Sequence, residues 1–156
     1  MQNNVEELLL TAGRYYIGDP CYAFNREDWE ELLESTDYFQ NANPFELRGR
    51  SFVAFNTDFG DGDYKGSDGF NYGVDAGLIG AIPIELVDKE KLADIVKFKL
   101  GRIVEFDSSF YVSTNGEGLL CFGDIEIDTA AYDEEEDYYE EDESEEEYEE
   151  DEAVNF

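Results

Sequence analysis

The sequence contains no histidine. That absence excludes serine–histidine–aspartate and cysteine–histidine catalysis, and every metal site built on imidazole. Basic residues are scarce, with 10 Lys and Arg against 41 Asp and Glu, a formal net charge of −31. Direct binding to DNA or RNA needs Lys and Arg to replace counterions, so no direct nucleic-acid contact is expected. The same charge repels an anionic membrane surface. The two cysteines, Cys21 and Cys121, lack the spacing of a zinc site or a redox pair. No apolar run approaches the roughly 20 residues that span a bilayer. Met1-Gln2-Asn3-Asn4 opens no secretory signal, so a cytoplasmic protein with free thiols is expected. No Gly-rich phosphate loop is present, and no cofactor is expected.

What is abundant is negative charge, unevenly spread. Of the 41 acids, 16 fall between Asp133 and Glu152, where there is no base; 25 acids and all 10 bases remain, a net of −15 for the rest of the chain. A block of like charge cannot bury enough apolar surface to offset its backbone entropy. The expected organisation is therefore one compact domain over 1–130 and a disordered acidic tail over 131–156.

Within the domain, short apolar runs alternate with turn formers. Strands are expected at Glu7–Thr11, Arg14–Ile17, Arg50–Asn56, Arg102–Phe106, Phe110–Ser113 and Leu119–Phe122. Asn115-Gly116-Glu117-Gly118 is a hairpin signal, and Asp124–Thr129 alternates like an exposed edge strand. Tyr72–Ile82 is nearly all small or apolar and predicts one strand buried on both faces, with glycines where another backbone approaches. Asn25 predicts a helix N-cap, followed by Glu27 and Asp28 in the first turn and by Trp29, Leu32 and Leu33 on one stripe. Pro83 opens a short helical segment to Val87, and Asp88 caps a second helix with Leu92, Ile95 and Val96 inward. Seven or eight strands and two helices predict an α+β class: a mostly antiparallel curled sheet or small barrel, helices on one side. The 12 Phe, 11 Tyr and one Trp predict an aromatic core.

Several constellations are candidate sites. Asp58, Asp61 and Asp63 cluster among glycines, but a calcium loop of the EF-hand type starting at Asp61 would need an oxygen ligand at Lys65 and a Glu at Tyr72, so no metal is assigned and a solvated hairpin loop is expected. Cys21 as a nucleophile would need a nearby base or cation, and only carboxylates are near in sequence. Asp75 sits in an apolar run, where a carboxylate needs a partner: the backbone of the Gly18–Asp19 turn, a basic residue, or Asp19 itself as an acid/base pair. Lys89, Lys91, Lys97, Lys99 and Arg102 are half of all bases, within 14 positions; with Glu90 and Asp94 interleaved they fit an ordinary mixed surface, or a dock for the acidic tail or for a ligand phosphate.

The string Tyr16-Ile17-Gly18-Asp19-Pro20-Cys21-Tyr22 is the most distinctive. Together with Trp29, the Gly60–Tyr64 turn and Val74–Gly80 it resembles a set of small, mostly uncharacterised bacterial and bacteriophage proteins with a Tyr-Ile-Gly-Asp-Pro-Cys-Tyr opening. The resemblance covers roughly residues 12 to 128 and implies a single domain of bacterial or phage origin, with no named activity. Separately, Asp151, Glu152 and Phe156 resemble the acidic, Phe-ended tip of single-stranded DNA-binding proteins, from which Ala153-Val154-Asn155 departs.

The expected function is a non-enzymatic polyanionic protein-binding module. Its partner would be a basic surface of a host protein, such as a nucleic-acid enzyme that it blocks by imitating DNA charge. Glu27, Asp28, Glu30, Glu31 and Glu34, with Asp151, Glu152 and Phe156 of the tail, are the expected contacts. Two alternatives belong to other classes. One is a replication accessory protein that holds single-stranded nucleic acid and recruits partners through Phe156. The other is a small carboxylate-dependent hydrolase using Asp19 and Asp75, with a divalent metal at Asp61 and Asp63 as its option. The oligomeric state is not encoded in any of these patterns.

Overall fold

A computed structural model of the chain describes residues 5–40 and 43–130. The strands are β1 (Glu6–Leu10), β2 (Gly13–Gly18), β3 (Phe45–Leu47), β4 (Arg50–Asn56), β5 (Gly62–Lys65), β6 (Asn71–Val74), β7 (Leu78–Pro83), β8 (Gly101–Phe106), β9 (Phe110–Thr114), β10 (Leu119–Phe122) and β11 (Ile125–Asp128). The helices are α1 (Arg26–Ser35) and α2 (Lys89–Phe98), with single 3-10 turns at Pro20–Tyr22 and Ile84–Leu86.

Three layers follow from the pairing. A central five-stranded sheet runs in the order β3-β4-β7-β2-β8, antiparallel throughout. On one face its Tyr16, Phe52, Ala54 and Ile82 pack with Leu32 of α1 and Ile95 of α2. On the other face Tyr15, Ile17, Val53, Phe55 and Ile79 meet a second sheet, β1-β9-β10-β11, and the β5-β6 hairpin. Alternate residues of β4, β7, β2 and β8 serve the two cores, which is what period-two side chains dictate when both faces are covered. The result is the expected curled, antiparallel α+β fold with its helices on one side, and the sheets do not close into a barrel.

Differences from the sequence reading are local. Tyr72–Ile82 is two strands, β6 and β7, broken at Asp75-Ala76-Gly77, where Gly77 has φ +79°. Gly80 does sit where a backbone approaches: a Cβ there would collide with the Val53 carbonyl of β4. The Asp58–Gly69 stretch, read as loop, contains β5, and β3 was missed after Asn43–Pro44. There are eleven strands among the described residues, not seven or eight. Val96, expected inward, is 66% exposed, because α2 is covered by the sheet only along Ile95 and its half-buried neighbour Leu92. The edge strand β11 turns its Glu126 and Asp128 outward as expected, yet its edge is partly capped, since Ser67 N–H donates to the Glu126 carbonyl and Gly66 bridges Ile127. The acidic tail lies outside the described residues.

Candidate functional site

The turn after β2 is built around one buried carboxylate. Asp19 is 0% exposed. Its Oδ1 accepts from Cys21 N–H at 2.9 Å, which starts the 3-10 turn, and its Oδ2 accepts from the N–H groups of Asp75 and Ala76 at 2.6 and 2.7 Å. These bonds tie the β2 turn to the break between β6 and β7. Burial pushes the Asp19 carboxyl up from its ordinary range, against the opposing pull of the three amides. The expectation for Asp75 is thus corrected. It is not buried, and it is the Asp75 backbone that donates to Asp19, while the exposed Asp75 carboxylate accepts from the Tyr22 hydroxyl at 2.7 Å. As an acid/base pair the two carboxylates are badly arranged: one is sealed and bound by three amides, the other holds a phenol.

Burial likewise drives the Cys21 thiol far above its ordinary value, with the neighbouring Asp19 and Asp75 charges adding to it. Such a thiol is a poor nucleophile. Cys121, on the outer face of β10, is also raised by burial. The Tyr16 hydroxyl donates to the Asp19 carbonyl at 2.8 Å, and its ring lies where a Cβ at Gly18 or Gly101 would be. The distinctive Tyr-Ile-Gly-Asp-Pro-Cys-Tyr string is therefore a packed turn.

Asp58, Asp61 and Asp63 are all exposed, and no group of three or more acidic or cysteine side chains among the described residues is arranged to hold a metal.

The two helices carry the charged surfaces. Asn25 caps α1 by accepting from Asp28 N–H at 2.8 Å, and Asp88 caps α2 by accepting from Glu90 N–H at 2.9 Å and Lys91 N–H at 3.3 Å. The caps are themselves joined, since Asn25 Nδ2 donates to Asp88 Oδ2 at 3.0 Å. That bond first, with the two amides, holds the Asp88 carboxyl below its usual range.

Of the expected partner contacts, Glu27, Glu30, Glu31 and Glu34 are exposed on α1. Their spacing of i, i+3, i+4 and i+7 sets them along one face. Asp28 leaves this set: it is half-buried and ion-paired with Arg48 at 2.5 Å. Glu30 makes an i,i+4 pair with Arg26 at 3.2 Å. Asp151, Glu152 and Phe156 lie outside the described residues.

Of the expected tail dock, Lys89, Lys97 and Lys99 are exposed and Lys91 is half-buried. Arg102 belongs elsewhere: it pairs with Asp68 at 2.6 Å, and the same carboxylate oxygen accepts from the Tyr72 hydroxyl at 2.8 Å. Beside Arg102 an open cleft of about 600 Å³ has Val104, Phe106 and Phe110 along it and Glu105, Asp107 and Asp124 around it, so its net character is acidic.

No helix among the described residues is long and apolar enough to cross a membrane. Comparisons with protein-family models, with curated proteins and with solved structures find no match.

Proposed function

We propose that this protein is a polyanionic binding module that presents carboxylates in place of nucleic-acid phosphates to a basic surface of a partner protein. One observation carries the reading. Glu27, Glu30, Glu31 and Glu34 form a ridge on α1, spanning about 10.5 Å of helix axis at ~1.5 Å per residue, or one carboxylate per about 3.5 Å. A single strand of duplex DNA carries one phosphate per about 3.4 Å of axis. A groove that matches phosphates along its length meets carboxylates at a similar spacing on α1, with Glu30 shared with Arg26. The field of a strongly acidic domain also steers association with a basic partner. The site of action in this reading is the cytoplasm, of a bacterial host where the chain is phage-encoded. The reading requires no cofactor and no catalytic group.

The test is capture from bacterial lysate on the immobilised full chain, with stepwise salt elution and mass spectrometry. Each captured protein is then assayed for competition between this protein and a short fluorescent DNA duplex. The retained proteins should be nucleic-acid-binding, should elute early in salt, and should lose the duplex as this protein is added. The Glu27→Lys/Glu31→Lys/Glu34→Lys variant should compete about tenfold less well or worse, since like charges then face each other across the contact. Salt-insensitive capture, or duplex and protein bound together without competition, would overturn the proposal.

A further inference from the structure

The ten basic residues divide cleanly by type. All five arginines, Arg14, Arg26, Arg48, Arg50 and Arg102, form a salt bridge with a carboxylate. None of the five lysines forms one among the described residues, although the chain carries 41 acids. Four of those five, Lys89, Lys91, Lys97 and Lys99, stand on α2 or at its C-terminal cap. Lys89, Ala93, Val96 and Lys97 follow at i, i+4, i+7 and i+8, one continuous face. Two large apolar side chains stand in the open there, Val96 on that face at 66% and Phe98 beside it at 60% exposure, with the Lys97 ammonium 5.2 Å from the Phe98 ring centroid. Glu90 and Asp94, the acids of the same helix, pair with none of these lysines.

We infer that the segment Asp133–Glu152 of this same chain docks on the outer face of α2, its carboxylates on Lys89, Lys97 and Lys99 and its tyrosines on Val96 and Phe98. The composition matches on both counts. Apart from Ser144, that segment consists of 16 acids and the three tyrosines Tyr138, Tyr139 and Tyr148. An aromatic ring with a polar tip suits a surface where apolar groups and ammoniums alternate, because it can cover the one and face the other. Reach is ample. The chain beyond Ala130 has a contour length of about 90 Å at ~3.5 Å per residue. A domain of this size has a radius of gyration of only about 14 Å. Tethering makes the encounter intramolecular, at an effective concentration on the order of millimolar. Each contact is exposed and screened by salt, so the docked state is one that a basic partner can displace. The inference goes beyond the partner-binding proposal and is tested on the isolated protein, so either can fail without the other.

The experiment is zero-length carbodiimide cross-linking of the full chain in dilute solution, mapped by mass spectrometry. Equal amounts of ¹⁴N and ¹⁵N protein are mixed, so that links within one chain are told from links between copies. Lys65, on β5, is the internal reference lysine. Carboxylates of 133–152 should join Lys89, Lys97 and Lys99 several-fold more often than Lys65, within one isotopic chain. The excess should disappear near 0.5 M salt. The Val96→Ser/Phe98→Ser variant should lower the yield on Lys89 and Lys97 while leaving Lys65 unchanged. Equal labelling of Lys65, links mainly between isotopes, or no links to α2 would each overturn the inference. An unchanged yield in Val96→Ser/Phe98→Ser would overturn its apolar half.

Discussion

The two helices make an instructive pair. Both have ten residues, both are capped by a side chain that reaches the first turn, and both pack on the same face of the central sheet. Their solvent sides differ in sign. α1 carries five acids and one arginine, and α2 carries three lysines and two acids. Burial fixes one stripe of each helix, Leu32 on α1 and Ile95 on α2, and leaves the other faces free to vary. The fold therefore does not account for the charge pattern of either helix. The acids of α1 continue the sign of the whole domain, whereas the lysines gathered on α2 run against it and form no salt bridge among the described residues.

The largest expected difference lies between two carboxylates, one that starts the 3-10 turn preceding α1 and one that caps α2. Asp19 stands before α1 and is sealed, with three backbone donors; Asp88 caps α2 near the surface. Asp19→Ala removes the acceptor of three part-buried N–H groups and should cost on the order of 2–3 kcal/mol. Asp88→Ala should cost about 1 kcal/mol, the usual worth of a lost N-cap. Urea denaturation midpoints of the two variants measure both, and equal losses would show that Asp19 is not the stronger anchor.

The same two residues should respond oppositely to pH. The folded-state pKa of Asp88 is lowered, so its contribution is present above its unfolded value of about 3.9 and is lost as pH falls through the folded value. The Asp19 pKa is raised, so its contribution is full below about 3.9 and diminishes as pH rises through the folded value. Against the wild type, Asp88→Asn should make the acid limb of the stability curve shallower. Asp19→Asn should make it steeper just above pH 4, because the opposing slope is gone. Melting temperatures at closely spaced pH values read both slopes.

The smallest effect separates adjacent residues of α2. Val96→Ser should alter stability by no more than about 0.5 kcal/mol, as expected for an exposed position, whereas Ile95→Ala should cost about 2–5 kcal/mol. A large loss in Val96→Ser would mean that Val96 is covered in the intact chain, which sharpens the case for an occupant on that face.

Much of the helical layer was legible in the sequence. Asn25 and Asp88 announce their helices because capping is local: a short side chain meets an N–H two or three residues on. The hairpin at Asn115–Gly118 was legible for the same reason, with Asn115 Oδ1 accepting from Glu117 and Leu119 N–H. The break at Asp75–Gly77 was not, since it is held by Asp19, 56 and 57 residues away, and nothing near Tyr72–Ile82 records that bond. Val96 was misread because periodicity says which residues share a stripe and not how wide a stripe the sheet will cover. Arg102 was grouped with the lysines by proximity in sequence, while its partner Asp68 comes from the β5-β6 hairpin.

The sequence by itself determined the acidity, the exclusion of histidine chemistry, the helix starts and the antiparallel α+β class, because these depend on composition and on contacts a few residues apart. Tertiary structure alone decided that Asp19 is a buried tie to the β6–β7 break, that Cys21 is half-buried beside it, and that, among the described residues, every arginine forms a salt bridge while the α2 lysines form none. Those outcomes turn on desolvation and on partners far along the chain, and both come into being only when the layers close.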